Sequence, residues 1–303
     1  MEIFTKEKIV EDLTRLGVKN GDLLNVKVSY RSIGKIEGGV KTVIEALLEA
    51  VGPNGTIFSD SFVSPFPKWK LIFNPHKCLV DNTTKSYAGA VANVMINYPQ
   101  AKRSPHPIQK FVAIGKDADI VLNHTKDSKP YSVLYELTKL GGKNIRIGPK
   151  EKVVGVGTTH CAIEELQWKQ NIPKIGVCYK DDNNQLHRFY HQWPTACADA
   201  FNNLLPLHKK YGAFINEGYI GNAEAILSDM KATFDMELLL GRSFPNFLRC
   251  SDKSCRICHL NWKDSPKYNL VSVVYHNVKR RKFKRILLIL YMYLFRNYQP
   301  KSK

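Results

Sequence analysis

The sequence predicts an α/β fold, and two observations carry that prediction. The first is an extended apolar run, Leu23, Leu24, Val26 and Val28, that breaks at Ser29, Gly34 and the Gly38–Gly39 pair and then turns into a helix. In that helix Val43, Ile44, Leu47, Leu48 and Val51 recur at helical spacing, and Gly52–Pro53 stops it. The second is the segment TIFSDSFV, beginning at Thr56, which reads as the next strand. With 303 residues, the chain can form one large domain or two smaller ones around a substantial core.

The remaining elements follow in chain order. Residues 4–16 predict a first helix with Ile9, Leu13 and Leu16 on one face and a glycine stop. Residues 64–85, with three prolines, read as a loop bordering a cleft or, equally in keeping with their composition, as a surface loop pinned by Trp69 and Phe73. A helix over 86–99 ends at its proline, a helix over 132–140 is followed by a strand over 144–148, and KIGVCYK gives a strand that turns at DDNNQ. His187, His191 and His208 follow and receive no role from the sequence.

Composition narrows the classes. No run of eighteen apolar residues is present, so no spanning helix is expected, and the charged, amphipathic N-terminus is unlike a signal peptide. Seven cysteines, odd in number and partly clustered, fit a reducing cytoplasm better than a disulfide framework. The net charge of +18 favours anionic partners such as CoA, an anionic sugar or a membrane surface, and disfavours a polycationic antibiotic. No helix-turn-helix, finger array or aromatic-basic platform supports specific nucleic-acid binding.

A glycine pair before a helix lets a ligand approach the backbone and points unpaired N–H groups toward it, which suits a diphosphate. It equally suits a tight packing turn. The segment VSYRSIGKIEGGVKTVIEALLEAVGPNGTIF resembles the start of the aminoglycoside 3-N-acetyltransferase family: hydrophobic-Ser-Leu-x-x-x-Gly-x-hydrophobic-x-Gly-Gly-x-x-Thr-Val-Ile. Lys27 and Val28 stand where the family usually has His and Ser. A second resemblance is AKRSPHPIQKFVAIG, where Arg103, Ser104, His106, Pro107, Phe111, Ala113 and Gly115 match and Lys110 replaces a serine. The closing GYIGNAEA is similar too, so the resemblance covers about residues 7–241. It implies a central mixed sheet flanked by helices and an acetyl-CoA co-substrate. It further implies cofactor contacts from Ser29, Gly38, Gly39 and Thr42, and from Arg103, Ser104 and His106 holding phosphate or thioester oxygens.

The family's third pattern is Thr-x-x-His-x-x-Glu, whose His and Glu strip a proton from the acceptor amine. Here Thr158 and Glu164 take the outer slots, but Cys161 stands where His is expected and His160 comes one position early. Three readings stay open. His160 is the base and shares a helical face with Glu164 at i,i+4; Cys161 serves as a thiol with a lowered pKa; or the site binds CoA without efficient turnover. An ammonium must lose a proton before it attacks a thioester, and a neutral imidazole does this near pH 7.

Two features lie beyond the resemblance. Cys250, Cys255, Cys258 and His259 form a Cys-x4-Cys-x2-Cys-His run able to supply four ligands to a structural zinc. The tail carries six basic residues between Lys279 and Arg285 before ten apolar or aromatic ones, too few to span a bilayer but suited to its anionic interface through residues 279–296. The expected organisation is therefore an acetyltransferase domain over 1–245, a Cys appendage over 246–275 and a basic amphipathic tail over 276–303. The expected activity is N-acetylation of an amino sugar in cell-surface polysaccharide synthesis, in the cytoplasm or on the inner face of the membrane. The alternatives are aminoglycoside resistance proper and a degenerate CoA- or polyanion-binding protein. Oligomeric state is not legible.

Overall fold

In the computed structural model, residues 3–168, 170, 172–191, 195–244, 247–261, 270–294 and 296–297 are described. The chain begins with helix α1 (Lys6–Leu16), entered through Thr5, whose hydroxyl accepts from Lys8 N at 3.3 Å, and closed at Gly17, which has a left-handed φ of 103°. Ile9, Leu13 and Leu16 are its buried stripe. Strand β1 (Leu23–Val28) and helix α2 (Val40–Val51) form the expected unit, and β2 (Thr56–Asp60) follows.

The region 64–85 is more structured than its prolines suggest. It contains helix α3 (Lys68–Phe73). Trp69 and Phe73 are 51% and 76% exposed, so they do not pin it; Leu71 does, fully buried against Cys78 and Cys178. Next come α4 (Ala90–Ile96), β3 (Lys102–Arg103), β4 (Phe111–Gly115), α5 (Ser132–Lys139) and β5 (Lys143–Ile147). They are followed by α6 (Thr158–Glu165), the hairpin β6 (Ile175–Lys180) and β7 (Leu186–Tyr190), and the short helices α7 (Ala198–Asn202) and α8 (Leu205–Lys210). The hairpin β8 (Phe214–Ile220) and β9 (Ala223–Asp229) and helix α9 (Met230–Ser243) complete the sheet region.

The seven-stranded sheet runs β8-β9-β5-β1-β2-β4-β3. Its centre is parallel, with β1 between β5 and β2, and its flanks are antiparallel. The sheet is therefore mixed, as expected. Strand alternation divides the core into two layers. Leu24, Val26, Ile57 and Ile145 pack with α1, α2 and α4 residues such as Ile9, Val43, Leu47 and Met95. Phe58, Phe111 and Ala113 pack on the other side with Tyr131, Leu134, Leu137, Cys161 and Met230. Lys27 and Ser29 share the parity of Leu23, which packs with this second layer, so the carboxyl end of β1 delivers polar side chains toward α5 and α6.

Beyond the sheet, helices α10 (Leu270–Lys279) and α11 (Phe283–Leu294) form a helical pair. The expected 275/276 boundary falls inside α10, and the expected 245/246 boundary lies outside the described residues. Asn277 Nδ2 donates to Ser254 O at 3.0 Å and Arg280 pairs with Asp252 at 2.8 Å, so the tail is tied to the cysteine segment. Val273 and Ile289 are buried while Phe283, Leu287 and Leu290 remain exposed; Phe295 of the expected interfacial segment lies outside the described residues. Among the described residues, no helix is long and apolar enough to cross a membrane.

Candidate active site

Helix α6 starts unusually close to the sheet because Gly157 precedes it. A Cβ there would meet Leu134 Cδ1 at 2.8 Å and Asn25 Nδ2 of β1 at 3.3 Å. This approach sets His160, in the first turn of α6, over the carboxyl end of β1. The His160 ring stacks on Tyr131 with centroids 4.1 Å apart and planes 6° from parallel, and Phe201 of α7 meets it at 4.8 Å. Its Nδ1 is buried and has no hydrogen-bond partner. Burial, reinforced by Lys27 and His191, pushes its pKa well below the usual histidine range, so the imidazole is neutral at physiological pH.

Glu164 follows one helical turn later. Its Oε2 is likewise buried without a partner, and burial pushes its carboxyl up to about 7, opposed by Lys129. No hydrogen bond joins it to His160, although the two share α6 at i,i+4 as the spacing predicts. A second carboxyl group ends β2: Asp60 lies 3.6 Å from Lys27 Nζ through Oδ2, while its Oδ1 is buried and unpartnered. Burial raises the Asp60 pKa against the pull of Lys27. Glu164 and Asp60 both help raise the Tyr131 hydroxyl, after burial and Tyr87, so both carboxyl groups act on the tyrosine on which His160 stacks. Lys27, Asp60, Tyr131 and Phe201 were not singled out by the sequence as site residues. For Asp60 a signal existed: a charged residue closing an apolar strand at its carboxyl end, where α/β sheets place ligands.

The other residues of the third signature turn inward. Thr158 is fully buried and its hydroxyl donates to Thr233 Oγ1 at 3.0 Å, which joins α6 to α9 and leaves it no open face toward an acceptor. Thr159 donates to Glu237 Oε1 at 2.6 Å, and the same oxygen lies 2.9 Å from His208 Nε2, with Glu237 and His208 wholly buried. His208 is thus a structural partner of Glu237. Cys161 is also fully buried, its Sγ 3.7 Å from Tyr131 O, and burial holds its thiol well above the ordinary range. Such a thiol is a packing group and a poor base.

The glycine pair forms a tight turn in which Gly39 N donates to Ile36 O at 3.2 Å. Gly38 and Gly39 have φ of 69° and 76°, and a Cβ on Gly38 would lie 2.5 Å from Thr42 Oγ1, which itself donates to Glu37 O at 2.6 Å. The turn therefore needs glycine, and the Thr42 hydroxyl is committed to bracing it. Ser29 Oγ lies 2.8 Å from Ser32 Oγ, which accepts from Lys152 Nζ at 3.4 Å. The basic loop after β5 thereby reaches the β1–α2 turn.

The expectation of cofactor contacts from the second signature needs correction. Arg103 is 7% exposed, and its guanidinium donates to Ser61 Oγ and to the carbonyls of Ser61, Asn82 and Thr84, three of these four at 2.7–2.8 Å. Ser104 Oγ accepts from Phe111 N at 2.9 Å. His106 Nδ1 accepts from Gln109 N at 2.9 Å, its ring stacks on His124 at 4.6 Å, and burial lowers its pKa to about 2. These are internal braces of the 104–111 loop and present no surface to phosphate. Of the expected metal ligands, Cys250, Cys255 and Cys258 converge, but the fourth group beside them is Cys197 rather than His259.

A family model described as aminoglycoside 3-N-acetyltransferase matches residues 26–238. An aminoglycoside N(3)-acetyltransferase III from Salmonella sp is 29% identical over 255 residues, covering 74% of this chain and 87% of that protein. The SPbeta prophage-derived aminoglycoside N(3')-acetyltransferase-like protein YokD of Bacillus subtilis is 36% identical over 134 residues, covering 39% of this chain and 49% of its own length. Among solved structures, a mutant of aminoglycoside acetyltransferase AAC(3)-IVa in complex with a gentamicin superposes with a TM-score of 0.71 at 24% identity, over 85% of this chain and 96% of that one. AAC-IIIb binary with CoASH gives 0.68 at 22% identity, over 80% and 98%.

Proposed function

The chain belongs to the aminoglycoside 3-N-acetyltransferase family, whose members are acyltransferases that use acetyl-CoA, and from that premise we propose that its acceptor is an amino group of an aminoglycoside. The observation that carries this is the company of His160: a buried imidazole stacked on Tyr131 at 4.1 Å, with the carboxyl group of Glu164 one turn on along the same helix and an unpartnered oxygen there and on Asp60. The net charge of +18 points the other way, toward an anionic acceptor, but a whole-chain charge does not set the local field. Six of the basic residues lie between Lys279 and Arg285, and Lys27 beside the site is paired with Asp60. The buried oxygens that remain unpartnered, Glu164 Oε2 and Asp60 Oδ1, suit ammonium groups, which supports an aminoglycoside over a nucleotide- or lipid-linked amino sugar.

His160 is the base in this reading. It takes a proton from the acceptor ammonium, the freed amine attacks the thioester carbonyl, and the tetrahedral intermediate expels the CoA thiolate, which recovers that proton from the imidazolium; the second proton on the new amide nitrogen then leaves through the neutral imidazole to solvent. Glu164 stabilises that imidazolium. Acetyl-CoA lies along the Gly38–Gly39 turn and the Ser29 turn, with Lys152 near its phosphates. Cys161 packs the helix from behind.

The experiment follows CoA thiol release from acetyl-CoA against gentamicin, sisomicin and free amino sugars, with His160→Ala and Cys161→Ala beside the wild type. Aminoglycoside turnover that drops about 10²–10⁴-fold in His160→Ala and stays within a few fold in Cys161→Ala is expected. Preference for a free amino sugar, or loss of turnover only in Cys161→Ala, overturns the reading.

A further inference from the structure

We propose that Cys197, Cys250, Cys255 and Cys258 form a structural tetrathiolate zinc site that fastens the C-terminal segment to the wall against which His160 packs. The four Sγ atoms all lie within 4.8 Å of one another. A tetrahedral zinc with bonds of about 2.3 Å requires sulfurs about 3.8 Å apart, so this cluster needs only a small contraction to close on an ion. Cys258 Sγ is already 3.5 Å from Cys197 Sγ. Cys250 and Cys258 are buried, whereas Cys197 and Cys255 are partly open and border a cleft of about 320 Å³ that gives an ion a way in.

The surroundings are those of thiolate ligands. The backbone N–H of Cys250 points at Cys258 Sγ at 3.4 Å, and that of Ala200 at Cys197 Sγ at 3.4 Å; such donors hold sulfur negative and oriented. The knuckle is held independently by Asp252, which accepts from Ser254 N at 2.9 Å and pairs with Arg280. Four soft sulfurs within 4.8 Å of one another select zinc, or iron, over hard cations. All four are supplied by this chain and together fill the four positions of a tetrahedral zinc, so the site is structural.

Its importance lies in where Cys197 stands. That residue caps α7, and Phe201, four residues on, meets the His160 ring. Asn202 of the same helix accepts from Gly155 N at 3.1 Å, next to the start of α6. The metal thus ties residues 250–258, distant in sequence, to the helix that buttresses the base. The metal assignment stands on the sulfur cluster alone; only its link to His160 rests on the function proposed above.

The test is elemental analysis of the full-length protein purified without added metal, followed by titration with p-hydroxymercuribenzoate in the presence of a chromogenic zinc indicator. One zinc per chain, released as four thiols react, is the expected result. Cys197→Ala loses the zinc and His259→Ala keeps it, and Cys197→His, which retains four ligands, recovers it. Cobalt-grown protein shows the visible bands of a tetrahedral tetrathiolate. Metal-free protein with four titratable thiols, a Cys197–Cys258 disulfide found by mass spectrometry, iron in place of zinc, or retention of zinc in Cys197→Ala would each overturn the proposal. These readouts need no acceptor, so their failure is distinct from failure of the acetyltransfer reading.

Discussion

Replacing Glu164 by glutamine should make the protein more stable and the enzyme slower, and the gain should depend on pH in a defined way. Glu164 is partly buried and its carboxyl is pushed from 4.5 to about 7 by desolvation. A carboxyl raised in the native state contributes stability that is fully present below its unfolded pKa and is lost as pH rises through its folded one. The window here is therefore about pH 4.5 to 7. At roughly 1.4 kcal/mol per pH unit the ionised side chain costs about 3 kcal/mol above that window. Glutamine must also desolvate its amide, so the net gain above about pH 8 should be about 1.5–3 kcal/mol. For a chain of this size that corresponds to about 3–5 °C in Tm. Urea unfolding of both proteins from about pH 4.5 to 8.5 measures it: the difference should grow through the window and level off above it. The acid limb of kcat/KM near pH 7 should disappear in the variant, with turnover reduced about tenfold or more because no carboxylate forms to stabilise the imidazolium. A stability difference that is flat with pH would refute the claim that Glu164 is held desolvated, and an unchanged acid limb would refute its part in the reaction.

Two further substitutions separate the cofactor turn from the internal braces. Gly38→Ala puts a Cβ 2.5 Å from Thr42 Oγ1 at a φ of 69°, so the KM for acetyl-CoA should rise severalfold while kcat changes little, and steady-state kinetics at varied acetyl-CoA checks this. Arg103→Met leaves the carbonyls of Ser61, Asn82 and Thr84 without their donor; it should cost about 3–5 kcal/mol in denaturant unfolding while the KM for acetyl-CoA of the folded fraction holds.

The sequence alone determined the strands and helices with strong periodicity, because burial of one face is written into residue spacing. Leu24 and Val26 of β1, the α2 stripe through Val43 and Leu47, and the glycine pair that must adopt positive φ were all legible for that reason. It also placed His160 and Glu164 on one helix one turn apart. It did not reveal that Thr158, Cys161, Arg103 and His106 face inward, since a polar or reactive side chain reads the same whether its partners are backbone carbonyls or a ligand. Nor did it reveal the groups that come to the site from elsewhere: Asp60 from the end of β2, Tyr131 from the start of α5, and Phe201 from α7. The same holds for the cysteine cluster, where adjacency in the chain suggested His259 and the fold instead brought Cys197 from the cap of an earlier helix. Local periodicity specifies which face of an element is buried, but only the packing of those faces decides which distant side chains meet, because that depends on the sheet order and on how closely α6 can approach β1 at Gly157.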